Sequence, residues 1–113
     1  MAITWAEVVA YAVTLPEVAE STSYRTPSLK VAGTLMARLR TESEGGLAVK
    51  CSLSDKEALV NGEDPAYYTV PHYDGHAYVL VDLEVVDPQE LRELVADAWR
   101  IAAPPSLRRR LDL

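Results

Sequence analysis

The stretch S-L-K-V-A-G-T-L-M-A-R-L-R-T-E-S-E-G-G-L-A-V-K-C-S, residues 28–52, decides the fold. Its apolar residues recur with period two. Leu29 and Val31 flank Lys30. Leu35, Ala37 and Leu39 alternate with Met36, Arg38 and Arg40, and Leu47, Val49 and Cys51 alternate with Ala48, Lys50 and Ser52. Two short breaks, Ala32-Gly33-Thr34 and Glu44-Gly45-Gly46, carry the glycines that turns use for unusual backbone angles. Period-two runs joined by short turns predict an antiparallel meander of three strands. The alternation sends Leu35, Ala37, Leu39, Leu47, Val49 and Cys51 inward, and Lys30, Met36, Arg38, Arg40 and Lys50 to the opposite face.

Upstream, Thr4 and Glu7 have capping-box spacing, and Trp5, Val8, Val9 and Ala12 follow at helical intervals. Pro16 ends that helix, since the residue before a proline leaves the helical region. Residues 17–27 read as a polar connector closed by Pro27. Downstream, Ser54 and Glu57 repeat the capping-box spacing and open a short helix that stops at Asn61-Gly62. Residues 66–70 form a short strand stopped by Pro71, Tyr73–His76 are turn chemistry, and residues 77–83 are the strongest strand. Asp87-Pro88-Gln89-Glu90 opens the best helix, with Leu91, Leu94, Val95, Ala98, Trp99 and Ala102 as its stripe. Pro104-Pro105 stops it, and residues 106–113 add a last turn. The expected order is α-β3-α-β2-α in one domain, residues 1–113. It is an α+β two-layer sandwich with a five-stranded antiparallel sheet and helices on one face.

At 113 residues the chain is long enough for a core without staples, and its hydrophobic (49%) and charged (25%) fractions are those of an ordered globular protein. One cysteine, Cys51, excludes an internal disulfide framework and a cysteine-rich zinc module, and its inward position reads as an inert buried thiol. No apolar run approaches the ~20 residues of a membrane span. The opening M-A-I-T-W-A-E lacks a signal-peptide pattern, so a cytoplasmic address is expected. The net charge of −6 argues against a dedicated nucleic-acid binder, but the charges are polarised. Residues 21–41 hold Arg25, Lys30, Arg38 and Arg40 and no acid, whereas residues 82–97 hold six acids against Arg92 alone.

Four strings carry a resemblance: L-P-E-V-A-E-S-T-S-Y-R-T-P (15–27), K-V-A-G-T-L-M-A-R-L (30–39), Y-Y-T-V-P-H-Y-D-G (67–75) and D-P-Q-E-L-R-E-L-V-A-D-A-W-R (87–100). In this order and spacing the chain resembles the MmcQ/YjbR-like family of small bacterial proteins. The resemblance implies an α-β3-α-β2-α, secretion-chaperone-like fold. Family members are usually labelled DNA-binding, and the resemblance brings no defined catalytic residues. This chain is more acidic than that label implies.

The candidate site is the outward sheet face. Lys30, Arg38, Arg40 and Lys50 on adjacent strands repel one another, and an anionic partner such as phosphate relieves that repulsion. Tyr68, His72 and Tyr73 place aromatics beside these cations, as a single-strand stacking surface requires. Each feature has a plainer reading. Antiparallel sheets commonly wet one face, tyrosines pack edge strands, and His72 after Pro71 suits a hydrogen-bonded structural role. His72 and His76 make a poor metal pair, since Gly75 lies between them with no helix to align them. Ser21, Ser23 and His72 show no nucleophile elbow. Arg108–Arg110 are a basic tail or charges favoured at a helix end. The expectation is a non-enzymatic module with no cofactor and no metal that binds nucleic acid weakly and without sequence preference. The alternative is an adaptor for an acidic protein partner, and a small-anion binder ranks below it. Whether the chain is a monomer or a dimer is open at this level.

Overall fold

A computed structural model describes residues 2–111. Among them the elements are α1 (Trp5–Ala12), β1 (Val18–Ser23), β2 (Thr26–Val31), β3 (Thr34–Leu39), β4 (Leu47–Lys50), α2 (Leu53–Val60), β5 (Tyr67–Tyr68), β6 (Tyr78–Val81), α3 (Pro88–Ala102) and α4 (Pro105–Leu111). A 3-10 turn, Pro71–Tyr73, interrupts the β5–β6 connection. The expected closing turn corresponds to α4, while Asp112 and Leu113 lie outside the described residues. The fold is α+β with an antiparallel sheet, ordered β1-β2-β3-β4-β6-β5.

The sheet has six strands, not five. Residues 17–27, read as a connector, contain β1, and a two-residue hairpin joins it to β2 with Ser23 opposite Thr26. Two features hid it. Strand V-A-E-S-T-S is an exposed edge, so it lacks apolar alternation. Pro27 sits in β2 opposite Thr22, one step from the hairpin's closing pair, and β3 pairing starts only at Ser28 opposite Arg38. Neither neighbour therefore needs an amide from Pro27.

The inner face of the sheet packs against α1 and α3. Val8, Leu29, Val31, Ala37, Leu47, Val49, Val79, Val81, Leu91, Val95 and Trp99 are all buried there. Both helices start as their sequences require. The Thr4 hydroxyl accepts from the Glu7 amide while the Glu7 carboxylate accepts from Thr4, and Asp87 Oδ2 accepts from the amides of Gln89 (3.0 Å) and Glu90 (3.1 Å). Trp99 is fully buried, and its indole N–H donates to the Pro16 carbonyl at 2.9 Å, which ties α3 to the turn after α1. The α2 cap is Ser52, not Ser54: its hydroxyl accepts from the Asp55 amide.

The strand phase departs from strict alternation at one place. Lys30 pairs with Leu35 and Leu29 with Ala37, so Met36 is the extra residue of a bulge. Met36 and Ala37 both turn inward and are fully buried, and Leu35 turns outward. This reverses the expected placement of Leu35 and Met36. Arg38 keeps its outward direction, opposite Ser28 and Ala48.

Candidate anion-binding cleft

The outward face is not a flat solvated surface. Residues 69–77 fold back over it, and Tyr73 packs with Ala48 and Leu80 in a second apolar cluster flanked by Tyr68, Val70 and Tyr78. Short internal bonds shape this loop. The amide of Tyr73 donates to Val70 O (2.8 Å), and that of His76 donates to Tyr73 O (3.0 Å). Lys56 of α2 then fastens it. Its buried ammonium donates to the carbonyl of Tyr73 and, at 2.9 Å, to that of His76.

The other wall is the β1–β2 hairpin. Its two central residues, Tyr24 (φ 54°) and Arg25 (φ 67°), are both left-handed. That is the geometry of the type I′ turns that match strand twist, usually built from Asn and Gly. For a bulky side chain it is strained. The turn places Tyr24, 82% exposed, over the guanidinium of Arg38, with 5.2 Å from ring centroid to Cζ.

Between these walls lies a cleft of about 550 Å³, lined by Tyr24, Leu35, Arg38, His72, Tyr73 and Tyr78, with Glu44 and His76 also on its walls. Arg38 is only 9% exposed. One terminal nitrogen donates to Thr26 Oγ1 (3.1 Å) and the other to the Tyr73 hydroxyl (2.8 Å). Thr26 is itself fixed, since its hydroxyl donates to Ser23 O at 2.9 Å. Among the described residues the ion pairs are Arg40–Glu44 (3.6 Å) and Arg100–Asp97 (3.4 Å). Arg38 therefore has no carboxylate partner there. A guanidinium has five N–H donors, and burying a charge without a counter-charge is costly.

Arg40 lies beside it, 5.6 Å from the Tyr73 ring centroid. It donates to Gly45 O at 3.3 Å, and its Nε is buried without a partner. Glu44 accepts from both the side chain and the backbone of Thr41. Those bonds, with the charges of Arg40 and Arg38, hold its carboxyl below the usual carboxylate range. An ionised acid thus stands beside two arginines.

The structure brings Arg38, His72 and Tyr73 together in the cleft, with Arg40 against Tyr73. Lys50 extends over the Tyr78 ring at 5.4 Å from its centroid. Lys30 is half-buried between Ala19 and Leu35. Tyr68 is half-buried against the Ala48–Tyr73–Leu80 cluster. Its hydroxyl comes so close to Gly46 (φ 84°) that a Cβ there would collide with it. Tyr24, Tyr78, Thr26 and Lys56 were not singled out in the sequence. Four cations on one face were visible in the alternation, but the hairpin that adds Tyr24 and the lysine that latches the loop were not. Cys51 is buried, and desolvation pushes its thiol pKa up, which keeps it protonated and unreactive. Among the described residues no group of three or more His, Cys, Asp or Glu is placed to hold a metal, and no helix is long and apolar enough to cross a membrane.

A family model described as YjbR matches residues 13–101, from the end of α1 to the end of α3. The chain belongs to the YjbR family. The matched span contains every residue of the cleft named above. Similar YjbR-family relatives include uncharacterized protein Rv2570 of Mycobacterium tuberculosis and uncharacterized protein Mb2600 of Mycobacterium bovis. Each is 37% identical over 75 residues. The alignment covers 64% of this chain and 58% of either relative, so the chain spans little more than half the length of these curated relatives.

Proposed function

We propose that the protein binds single-stranded nucleic acid, weakly and without sequence preference, at the outward-face cleft. The observation that carries this reading is Arg38, a buried guanidinium that makes no ion pair among the described residues and opens into a cleft walled by Tyr24, Tyr73 and Tyr78. Arginine's planar fork suits phosphate oxygens, and aromatic faces stack bases irrespective of sequence. The DNA-binding label usual in the YjbR-like family agrees with it. Duplex is the poorer fit. Arg38 is recessed, Arg40 is paired to Glu44, and α3 carries Glu90, Glu93 and Asp97. The face is thus no broad cationic stripe, and α3 is no basic recognition helix.

The test is a salt titration of labelled single-stranded and duplex oligonucleotides. Single strands are expected to bind in the 10⁻⁴–10⁻⁶ M range of non-specific complexes, with log affinity falling by about 0.7 per phosphate contact per log salt. Tyr24→Ala, at an exposed position, is expected to weaken single-strand binding more than duplex binding. Absence of binding at about 50 mM salt and about 100 µM protein, where non-specific binders register, overturns the reading.

A further inference from the structure

We infer that the cleft recognises a phosphomonoester-bearing nucleotide, either free or at the end of a strand, with the phosphate on Arg38 and the base against Tyr24. This rests on the reading above and narrows it. A cation that tracks a continuous backbone is exposed and mobile. Arg38 instead lies recessed, its two terminal nitrogens held by Thr26 and Tyr73. The cleft, at about 550 Å³, falls within the range of sites that enclose one small ligand. Donor number also selects. Arg38 spends two of its five N–H groups on Thr26 and Tyr73 and makes no ion pair among the described residues. An internal phosphodiester offers two free oxygens. A phosphomonoester offers three acceptor oxygens and about −1.5 to −2 charge at neutral pH to the unused guanidinium donors. Glu44, ionised on the cleft wall, repels a further phosphate of a chain running through.

The experiment compares one ten-residue single strand bearing a 5′-phosphate, a 3′-phosphate or neither with a nucleoside monophosphate, its nucleoside and inorganic phosphate. Binding is followed by calorimetry. One phosphorylated end is expected to tighten binding about tenfold or more, the scale of an added charge-assisted contact. The monophosphate is expected to compete with it, and the nucleoside is not. Arg38→Lys keeps the charge but loses the fork, and is expected to abolish the preference for the phosphorylated end. Tyr24→Ala, which leaves the core untouched, is expected to weaken the monophosphate and leave inorganic phosphate unchanged. Equal affinity for phosphorylated and unphosphorylated strands overturns the inference and leaves the single-strand reading standing. Binding of the monophosphate without any strand upholds the inference, identifies the free nucleotide as its source and removes the single-strand reading. Inorganic phosphate binding as tightly as the monophosphate overturns the role given to the base.

Discussion

Replacing Lys56 by methionine tests whether the loop over the sheet is held by one buried ammonium. Methionine keeps the length and the apolar stem, so the change isolates two hydrogen bonds, to the carbonyls of Tyr73 and His76. If the loop stays in place, each carbonyl keeps an amide donor, His76 N–H on Tyr73 O and Tyr78 N–H on His76 O, so only the two bonds to the ammonium are lost, at about 0.5–1.5 kcal/mol each. If it opens, water satisfies the carbonyls, but the Tyr73 ring leaves its packing against Ala48 and Leu80, worth about 1.5–3 kcal/mol. Its hydroxyl also leaves Arg38, worth about 1.5–3 kcal/mol for a bond to a charged group. Removing the ammonium returns part of this, since it no longer has to be desolvated. The net expectation is a loss of about 1–3 kcal/mol in urea unfolding, by the cheaper route. Amide exchange separates the routes. The amides of Tyr73, Asp74 and His76, which close the loop internally, are expected to lose protection while those of β3 and β4 keep it. A loss below about 0.5 kcal/mol, the range of ordinary surface changes, with unchanged exchange at these three amides would refute the latch.

Four further outcomes are expected. Leu94→Ala empties a buried site of α3 and is expected to cost about 2–5 kcal/mol in chemical denaturation; a loss under about 1 kcal/mol would mean the helix face is wrongly placed. Asp87→Ala removes the acceptor for two α3 amides and is expected to cost about 1 kcal/mol, with oligonucleotide binding unchanged. Gly46→Ala meets both a left-handed backbone and the Tyr68 hydroxyl, so it is expected to lower thermal stability by more than the roughly 1–2 kcal/mol of the backbone term; Tyr68→Phe in the same background is expected to recover part of the loss. Glu44→Gln removes an anion from the cleft wall and is expected to tighten oligonucleotide binding severalfold at low salt, the gain shrinking as salt screens it. Because the Glu44 carboxyl is held below its ordinary range, the wild-type turn at Thr41–Glu44 keeps its stabilising contribution at neutral pH and loses it as pH falls through that lowered value.

The legible part of the fold is the part where side-chain burial follows backbone period. The stripe of α3 and the caps at Thr4 and Asp87 stand as their patterns require, and the inward apolar residues of β4 and β6 reach the core, although the loop over the outward face buries their other side too. β1 was invisible because an edge strand of serine, threonine and glutamate buries almost nothing. The bulge at Met36 was invisible for a different reason. A residue inserted in one strand leaves no mark on composition, and both phases offered an apolar side chain to the core. For the cleft, the alternation correctly aimed Arg38 outward. It could not show that the loop after β5 returns to cover it, because that contact spans 35 residues and depends on the Tyr73 hydroxyl and on Lys56. Lys56 carries no local signal, since a lysine within a short polar helix is usually solvated.

A merely wetted sheet face would keep its arginines extended into water and its turns relaxed. Here several departures from easy folding share one face, while the other left-handed non-glycine residues, Glu17 and Ala32, lie at the opposite end of β1 and β2. Arg38 is buried and makes no ion pair among the described residues, and the Nε of Arg40 and the hydroxyl of Ser28, opposite Arg38 in the sheet, are buried without hydrogen-bond partners. The hairpin beside them puts tyrosine and arginine in a conformation that Asn-Gly adopts with less strain. The inner face, by contrast, is apolar throughout and capped by rule. An unpaired cation and strained backbone persist where the surrounding structure holds them in place, and such features gather at binding sites. An acceptor-rich anion on Arg38, as proposed above, would supply a counter-charge and take up its unused donors. Swapping the hairpin tip to Asn-Gly, by Tyr24→Asn with Arg25→Gly, separates the two demands: thermal stability is expected to hold or rise while nucleotide affinity falls. A variant that gained stability and kept full affinity would show that the strain at Tyr24 serves no ligand.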